Sequence, residues 1–212
     1  METLKTDFFT NVSHEFKTPL AGIQNNAMLL QRQNISEEER LECAVAIVQS
    51  TRRLSNLIFN MLKLNKLEKQ TIVPKAEPYD LCEQLCECVI EFDTVMEKKD
   101  IEFEAELEDQ AMIEADKDLM ALVWNNLLSN AVKFTPPGGS IVLRQHTDSD
   151  GINVSVSDTG CGMDTDTQKK IFEKFYQGDT SHATEGNGLG LALVLRVLHL
   201  LDCQISVQSE PG

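Results

Sequence analysis

The stretch Phe9-Thr10-Asn11-Val12-Ser13-His14-Glu15-Phe16-Lys17-Thr18-Pro19-Leu20 sets the character of the first third of the chain. Phe9, Val12, Phe16, Leu20, Ile23, Ala27 and Leu30 recur at steps of three and four, the mark of one apolar helix face. His14 stands two residues from both Val12 and Phe16. On an α-helix that is about 200° of rotation, so the imidazole points away from the apolar seam toward solvent. A neutral imidazole is a good nucleophile, and a neighbouring carboxylate, here Glu15, can orient it and take its proton. Pro19 removes the N–H that would bond the Glu15 carbonyl, which predicts a bend just past the histidine.

The helical pattern breaks over residues 33–39. Ser36 with Glu39 forms a capping box that opens a second helix. That helix carries Leu41, Ala44, Val48, Thr51, Leu54, Ile58 and Met61 at the same spacing. Residues 4–67 therefore read as a helical hairpin. Two such helices bury their stripes poorly alone, and pairing with a second copy gives a four-helix bundle, so a homodimer is expected.

The 212 residues carry a net charge of −15, which argues against nucleic-acid backbone as a partner, since that binding rests on Lys and Arg. A single nucleotide is compatible with it, because backbone N–H groups, a divalent cation and one lysine suffice. No apolar run reaches the roughly 18 residues of a membrane span, and residues 1–5 lack a signal-peptide core. A soluble, cytoplasmic chain is expected. The six cysteines (Cys43, Cys82, Cys86, Cys88, Cys161, Cys203) lack zinc or disulfide spacing. Those at 82, 86 and 88 read as buried free thiols on a helix.

Near residue 70 the pattern changes, dividing the chain into 1–69 and 70–212. Thr71-Ile72-Val73, close to Pro74 and Pro78, reads as a first strand or a linker. Asp80 caps a helix running to about Lys98. Residues 101–105 alternate like a strand, Asp116 precedes a helix over 119–133, and 140–146 with 152–157 form a strand pair. A helix over 189–201 is followed by a strand over 204–208. Alternating elements of this kind give an α+β sandwich, a mixed sheet with helices on one face.

Four clusters in this half carry chemistry. Asn126, Asn130 and Lys133 share one helix face, where amide oxygens suit a hard cation and the ammonium suits phosphate. The wet side of an amphipathic helix would look the same. Asp158-Thr159-Gly160-Cys161-Gly162 ends a strand; its glycines admit a flat ligand and its carboxylate accepts from an exocyclic amine, although a plain turn also explains it. Phe172 and Phe175 lie three apart in Ile171-Phe172-Glu173-Lys174-Phe175-Tyr176, a hydrophobic clasp. The small, polar stretch 176–187 then has the composition of a lid. Gly186-Asn187-Gly188-Leu189-Gly190 opens a helix whose N–H groups can hold phosphates. No GK[ST] follows, so it is not a Walker A loop.

In this order the motifs strongly resemble the cytoplasmic core of bacterial two-component sensor histidine kinases, over nearly the whole chain. Residues 13–20 resemble that family's H box, the asparagine helix its N box, 158–162 its G1 box, 172–175 its F box and 186–190 its G2 box. The resemblance implies a dimerisation and phosphotransfer hairpin followed by a Bergerat-type ATP-binding domain. It implies His14 as phosphoacceptor, Glu15 as general base, and Thr18 as the residue that positions water in regulator dephosphorylation. Asn130 would ligate Mg²⁺ with support from Asn126, Lys133 would meet the phosphates, and Asp158 would read adenine. Phe134, Gly160, Gly162, Phe172, Phe175, Gly186, Gly188, Leu189 and Gly190 complete the implied ATP site.

The implied activity is a protein-histidine kinase that phosphorylates His14 from ATP and passes the group to an aspartate of a response-regulator receiver domain. The alternative is an ATP- or ADP-gated module acting as scaffold, or mainly as phosphatase, without net kinase activity. Two departures stand out. Gln177 occupies a position where many relatives carry arginine, leaving Lys174 or Arg196 to replace it. Both ends look like cuts, with sensor and membrane segments of a plasma-membrane protein expected upstream of Met1 and a last strand downstream of Gly212.

Overall fold

A computed structural model describes residues 2–32, 34–69, 72–178 and 186–211, with side chains from residue 10 onward. Helix α1 (Glu2–Leu30) and helix α2 (Glu37–Glu68) form the hairpin. The Ser36 hydroxyl accepts from the Glu39 N–H at 3.1 Å while the Glu39 carboxylate accepts from the Ser36 N–H at 2.8 Å, so the capping box opens α2 where the sequence placed it. The helical assignment of α1 continues through Pro19. The Thr18 hydroxyl donates to the His14 carbonyl at 3.3 Å in the turn before that proline.

The rest of the chain comprises β1 (Glu77–Asp80), α3 (Leu81–Ile90), α4 (Asp93–Lys98), β2 (Glu102–Glu106), β3 (Met112–Ala115), α5 (Lys117–Phe134), β4 (Ser140–Asp148), β5 (Gly151–Asp158), α6 (Thr165–Lys170) and α7 (Gly190–Leu200). Strand β4 lies between β2, which it pairs in parallel, and β5, which it pairs antiparallel with Leu143 opposite Val156. This is the expected mixed sheet. A separate antiparallel pair joins β1 to β3.

Both predicted aspartate caps are present. One oxygen of Asp80 accepts from the N–H groups of Cys82 and Ala111, and Asp116 accepts from the N–H groups of Leu119 and Lys75. Each cap therefore also ties its helix to a distant segment.

Three details depart from the sequence reading, and one alternative it left open is decided. The helix after Asp80 breaks at Glu91–Phe92 into α3 and α4, and the Phe92 N–H turns back to the Val89 carbonyl. Ile72 and Val73 belong to no strand, the linker option of the two the sequence left open; the first strand begins at Glu77, and Thr71 lies outside the described residues. Residues 204–208 form no strand either. Side-chain and carbonyl contacts instead fasten that end of the chain to the α6 region, with the Met163 N–H donating to Ser209 Oγ at 2.9 Å and Gln168 Nε2 donating to the Ser209 carbonyl at 2.8 Å. Cys86 is exposed, unlike the buried Cys82 and Cys88, because it sits on the solvent side of α3; all six thiols are free.

The core stands between the sheet and α5 and α7. Leu119, Val123 and Leu128 of α5 meet Leu193, Val194 and Val197 of α7 and Leu143 of β4. Leu57, Leu64 and Leu67 of α2 belong to the same cluster. Burying leucine side chains there contributes about 1.5–3 kcal/mol each, so the end of the hairpin is seated on the second half of the chain by hydrophobic contact. Elsewhere on the hairpin Leu41, Val45, Val48, Ile58, Phe59 and Leu62 remain exposed. Among the described residues no helix is long and apolar enough to cross a membrane.

Candidate active site

His14, on the side of α1 away from the apolar seam, is exposed, and Glu15, about 100° round the helix from it, is half-buried. Thr18 is exposed one turn further along. Glu15 Oε1 lies 3.5 Å from Gln177 Nε2, at the base of the segment that sequence reading called a lid. Residues 179–185 of that segment lie outside the described residues.

The clusters in the second half converge. Helix α5 presents Asn126 and Lys133 to the glycine turn at the start of α7. A Cβ added at Gly190 would stand 2.6 Å from Asn126 Oδ1, and one added at Gly186 would stand 2.7 Å from Lys133 Nζ. The amide oxygen and the ammonium therefore border the N-terminal end of α7, where N–H groups and the helix dipole favour anions. Lys133 Nζ also lies 4.4 Å from the centroid of the part-exposed Phe134 ring. Asn130 is half-buried on the same face of α5.

Beside the C-terminal end of α5, where a Cβ at Gly160 would stand 2.9 Å from the Phe134 carbonyl oxygen, Asp158 is exposed, and its Oδ1 accepts from the Gly160 N–H at 2.9 Å. The Thr159 hydroxyl accepts from the Ser140 N–H at 2.8 Å, pinning the turn to the start of β4. Gly162 has a packing reason to be glycine: a Cβ there would stand 1.8 Å from the Glu210 carbonyl oxygen.

Phe175 and Gly188 are locked together. The Phe175 N–H donates to the Gly188 carbonyl at 2.8 Å, and both residues have positive φ, 64° and 62°. An aromatic residue in that region is an outlier, held here by this bond and by packing on the core. Phe172 is half-buried. Leu189, counted above with the ATP site, is fully buried in the main core. Only its backbone faces the turn, because a leucine at the mouth of an apolar helix is worth more inside.

Lys174 and Arg196, the two residues considered in place of the missing arginine, both contact the end of α2. Lys174 forms an ion pair with Glu68, and Arg196 donates through Nε and Nη2 to the Leu67 carbonyl at 3.3 and 3.2 Å. Both serve the C-terminal end of α2, whose carbonyls attract cations.

Three residues near the site have no contact assigned to them in the sequence reading. Arg53 Nη2 donates to the Gly186 carbonyl at 3.2 Å. Gln177 Nε2 donates to that carbonyl at 3.3 Å. Lys99 Nζ donates to the carbonyls of Val132, Lys133 and Thr135 at 2.6, 3.2 and 2.6 Å, closing the C-terminus of α5 beneath Lys133 and Phe134. In sequence Arg53 and Lys99 are ordinary members of charged helix faces.

Among the described residues no three His, Cys, Asp or Glu side chains gather to hold a metal. The cleft's donor set of amide oxygens and an ammonium still fits Mg²⁺ carried on phosphate, since that ion keeps several waters and takes few protein ligands.

One chain thus carries an exposed histidine on a helical hairpin and a glycine turn bordered by an amide oxygen and an ammonium. Residues 4–70 match the His Kinase A (phospho-acceptor) domain, and residues 115–212 match the histidine kinase-, DNA gyrase B- and HSP90-like ATPase family. The chain therefore carries the two domains of a histidine kinase core.

It is 29% identical over its whole length to the sensor-like histidine kinase SenX3 of Mycobacterium tuberculosis, covering 52% of that protein. It is 34% identical to drug sensory protein A of Synechocystis, with 98% of this chain and 33% of that protein aligned. Against the autoinducer 2 sensor kinase/phosphatase LuxQ of Vibrio vulnificus the identity is 32%, over 97% of this chain and 25% of that protein. The chain thus spans about half the length of SenX3 and a third or less of the other two.

Among solved structures, Acinetobacter baumannii AdeS shares the fold at a TM-score of 0.75 and 19% identity, over 93% of this chain and 92% of that one. ShkA in complex with AMPPNP gives 0.71 and 29% over 97% of this chain and 43% of that one. ThkA in complex with the response regulator TrrA gives 0.68 and 25% over 83% and 52%.

Proposed function

We propose that this core binds ATP between Asp158 and the 186–190 turn and transfers the γ-phosphoryl group to His14. The observation that carries the reading is the meeting of Lys133 and Asn126 with the glycine turn at the start of α7, on a domain seated against the hairpin that exposes His14. Asp158 accepts from the exocyclic amine of adenine. Lys133 and the N–H groups opening α7 hold the phosphates. Asn130, supported by Asn126, holds Mg²⁺, which supplies charge neutralisation on the phosphates when bound.

His14 Nε2 attacks the γ-phosphorus as the bond to the bridging oxygen breaks and ADP leaves. Glu15 takes the Nδ1 proton, keeping Nε2 in its nucleophilic tautomer. The protein's part is positioning and electrostatics, as in other phosphoryl transfers. The group then passes to an aspartate of a response-regulator receiver domain, the class of partner held by ThkA in its complex. The exposed apolar residues of α2 are covered by a second copy, giving a homodimer, and the two functional units divide near residue 70.

His14→Ala abolishes label uptake from γ-labelled ATP on this reading and leaves nucleotide binding intact. Label that persists on the variant overturns it. Mixed dimers, one subunit lacking His14 and the other Lys133, report whether transfer runs within or between subunits.

A further inference from the structure

The Gly186 carbonyl is a junction between the two halves of the chain. Arg53 reaches it from α2 at 3.2 Å, Gln177 reaches it at 3.3 Å, and the same Gln177 amide lies 3.5 Å from Glu15 on α1. Lys133 Nζ borders Gly186 on its other side.

The hairpin fixes the height of Arg53. A Cβ at Gly22 would stand 3.0 Å from Ser50 Oγ, so residues 22 and 50 face each other across the antiparallel pair. Counting back along both helices sets Arg53 opposite about residue 19. That is five residues, about 7.5 Å along the axis, from His14. An arginine's planar fork loses little freedom when it binds, which suits it to a fixed contact such as that with the Gly186 carbonyl. Arg53 is also half-buried, so solvent screens its contact less than it would a fully exposed one.

We propose that Arg53 is a positioning residue for phosphoryl transfer: it fastens the glycine turn of the ATP cleft to the hairpin within reach of the His14-Glu15 turn. This rests on the kinase reading above. Transfer needs donor and acceptor held at near-contact distance, and a misplacement of about 1 Å can slow it about a hundredfold. A contact from the acceptor-bearing hairpin to the phosphate-bearing turn is suited to set that distance. It leaves nucleotide affinity to residues of α5, the 158–162 turn and the N–H groups opening α7.

The test uses the whole chain and measures autophosphorylation against ATP concentration for wild type, Arg53→Gln and Arg53→Lys, with thermal melting of each. The expected result is a kcat at least tenfold lower for Arg53→Gln, with KM for ATP and the melting temperature unchanged, and recovery to within threefold of wild type in Arg53→Lys. Gln177→Ala added to Arg53→Gln gives a less than additive loss, since both donors meet one carbonyl. An unchanged or raised kcat in Arg53→Gln overturns the proposal, as does a loss carried by KM or by melting. Wild-type protein that takes no label at His14 fails the underlying kinase reading instead, which keeps the two failures apart.

Discussion

Replacing Gly188 by alanine tests the junction on which the phosphate end of the cleft depends. Gly188 sits at φ 62°, where an alanine is disfavoured by about 1–2 kcal/mol. Its new Cβ would lie 2.6 Å from the Phe175 carbonyl carbon, 2.7 Å from its Cα and 2.8 Å from the Tyr176 oxygen. All three are backbone atoms, so no rotamer change relieves the contact. The segments must separate, and the 2.8 Å bond from the Phe175 N–H to the Gly188 carbonyl, worth about 1 kcal/mol, goes with them. The expected total is about 2–3 kcal/mol.

Gly138 supplies the control. Its φ is 77°, yet nothing lies within 4 Å of an added Cβ, so Gly138→Ala carries only the conformational term. At about 1.4 kcal/mol per decade, the excess of about 1 kcal/mol at Gly188 weakens nucleotide binding roughly fivefold if the turn must be rebuilt to receive phosphate. Anisotropy of a fluorescent ATP analogue and thermal melting on both variants provide the measurement. Gly188→Ala protein that binds and melts like Gly138→Ala refutes the reasoning.

Other outcomes follow from the same geometry. Thr18→Ala, which removes an exposed hydroxyl one turn from His14, lowers dephosphorylation of a phosphorylated regulator while sparing autophosphorylation; equal loss of both activities would count against a separate role for Thr18. Lys99→Met strips three carbonyls at the C-terminus of α5 of their shared cation and destabilises the fold by roughly 2 kcal/mol in urea titration, and a change under about 0.5 kcal/mol would contradict that account. In native protein Cys86 and Cys161 react with a thiol reagent first while Cys82 and Cys88 are protected, because burial pushes the Cys88 thiol up to about 11. The folded state holds that proton while the unfolded thiol releases it near pH 9, so this group's contribution to stability declines as pH rises from 9 to about 11; a Cys88→Ala variant loses this part of the pH dependence.

Much of this protein was legible in its sequence, because the relevant signals are local. The three-and-four spacing around His14, the Ser36 capping box and the Asp80 and Asp116 caps each act within a few residues, and each appears in the structure as a hydrogen bond or an exposed face. The motif order likewise pointed to the cleft, and Asn126 and Lys133 do meet the glycine turn from more than fifty residues away.

What tertiary structure alone decided is nonlocal. Leu189 looked like part of a ligand loop but is core, because α7 docks its apolar start between α5 and the hairpin. Residues 204–208 have strand composition, yet the end of the chain is fastened to the 162–168 region by Ser209. Lys174 and Arg196 serve the end of α2, while Arg53, one of many charges on a wet helix, reaches the glycine turn. A pattern in sequence encodes which face of an element is apolar. Which carbonyl a long cationic side chain reaches depends on how whole elements pack, and one residue's neighbours in sequence do not record that.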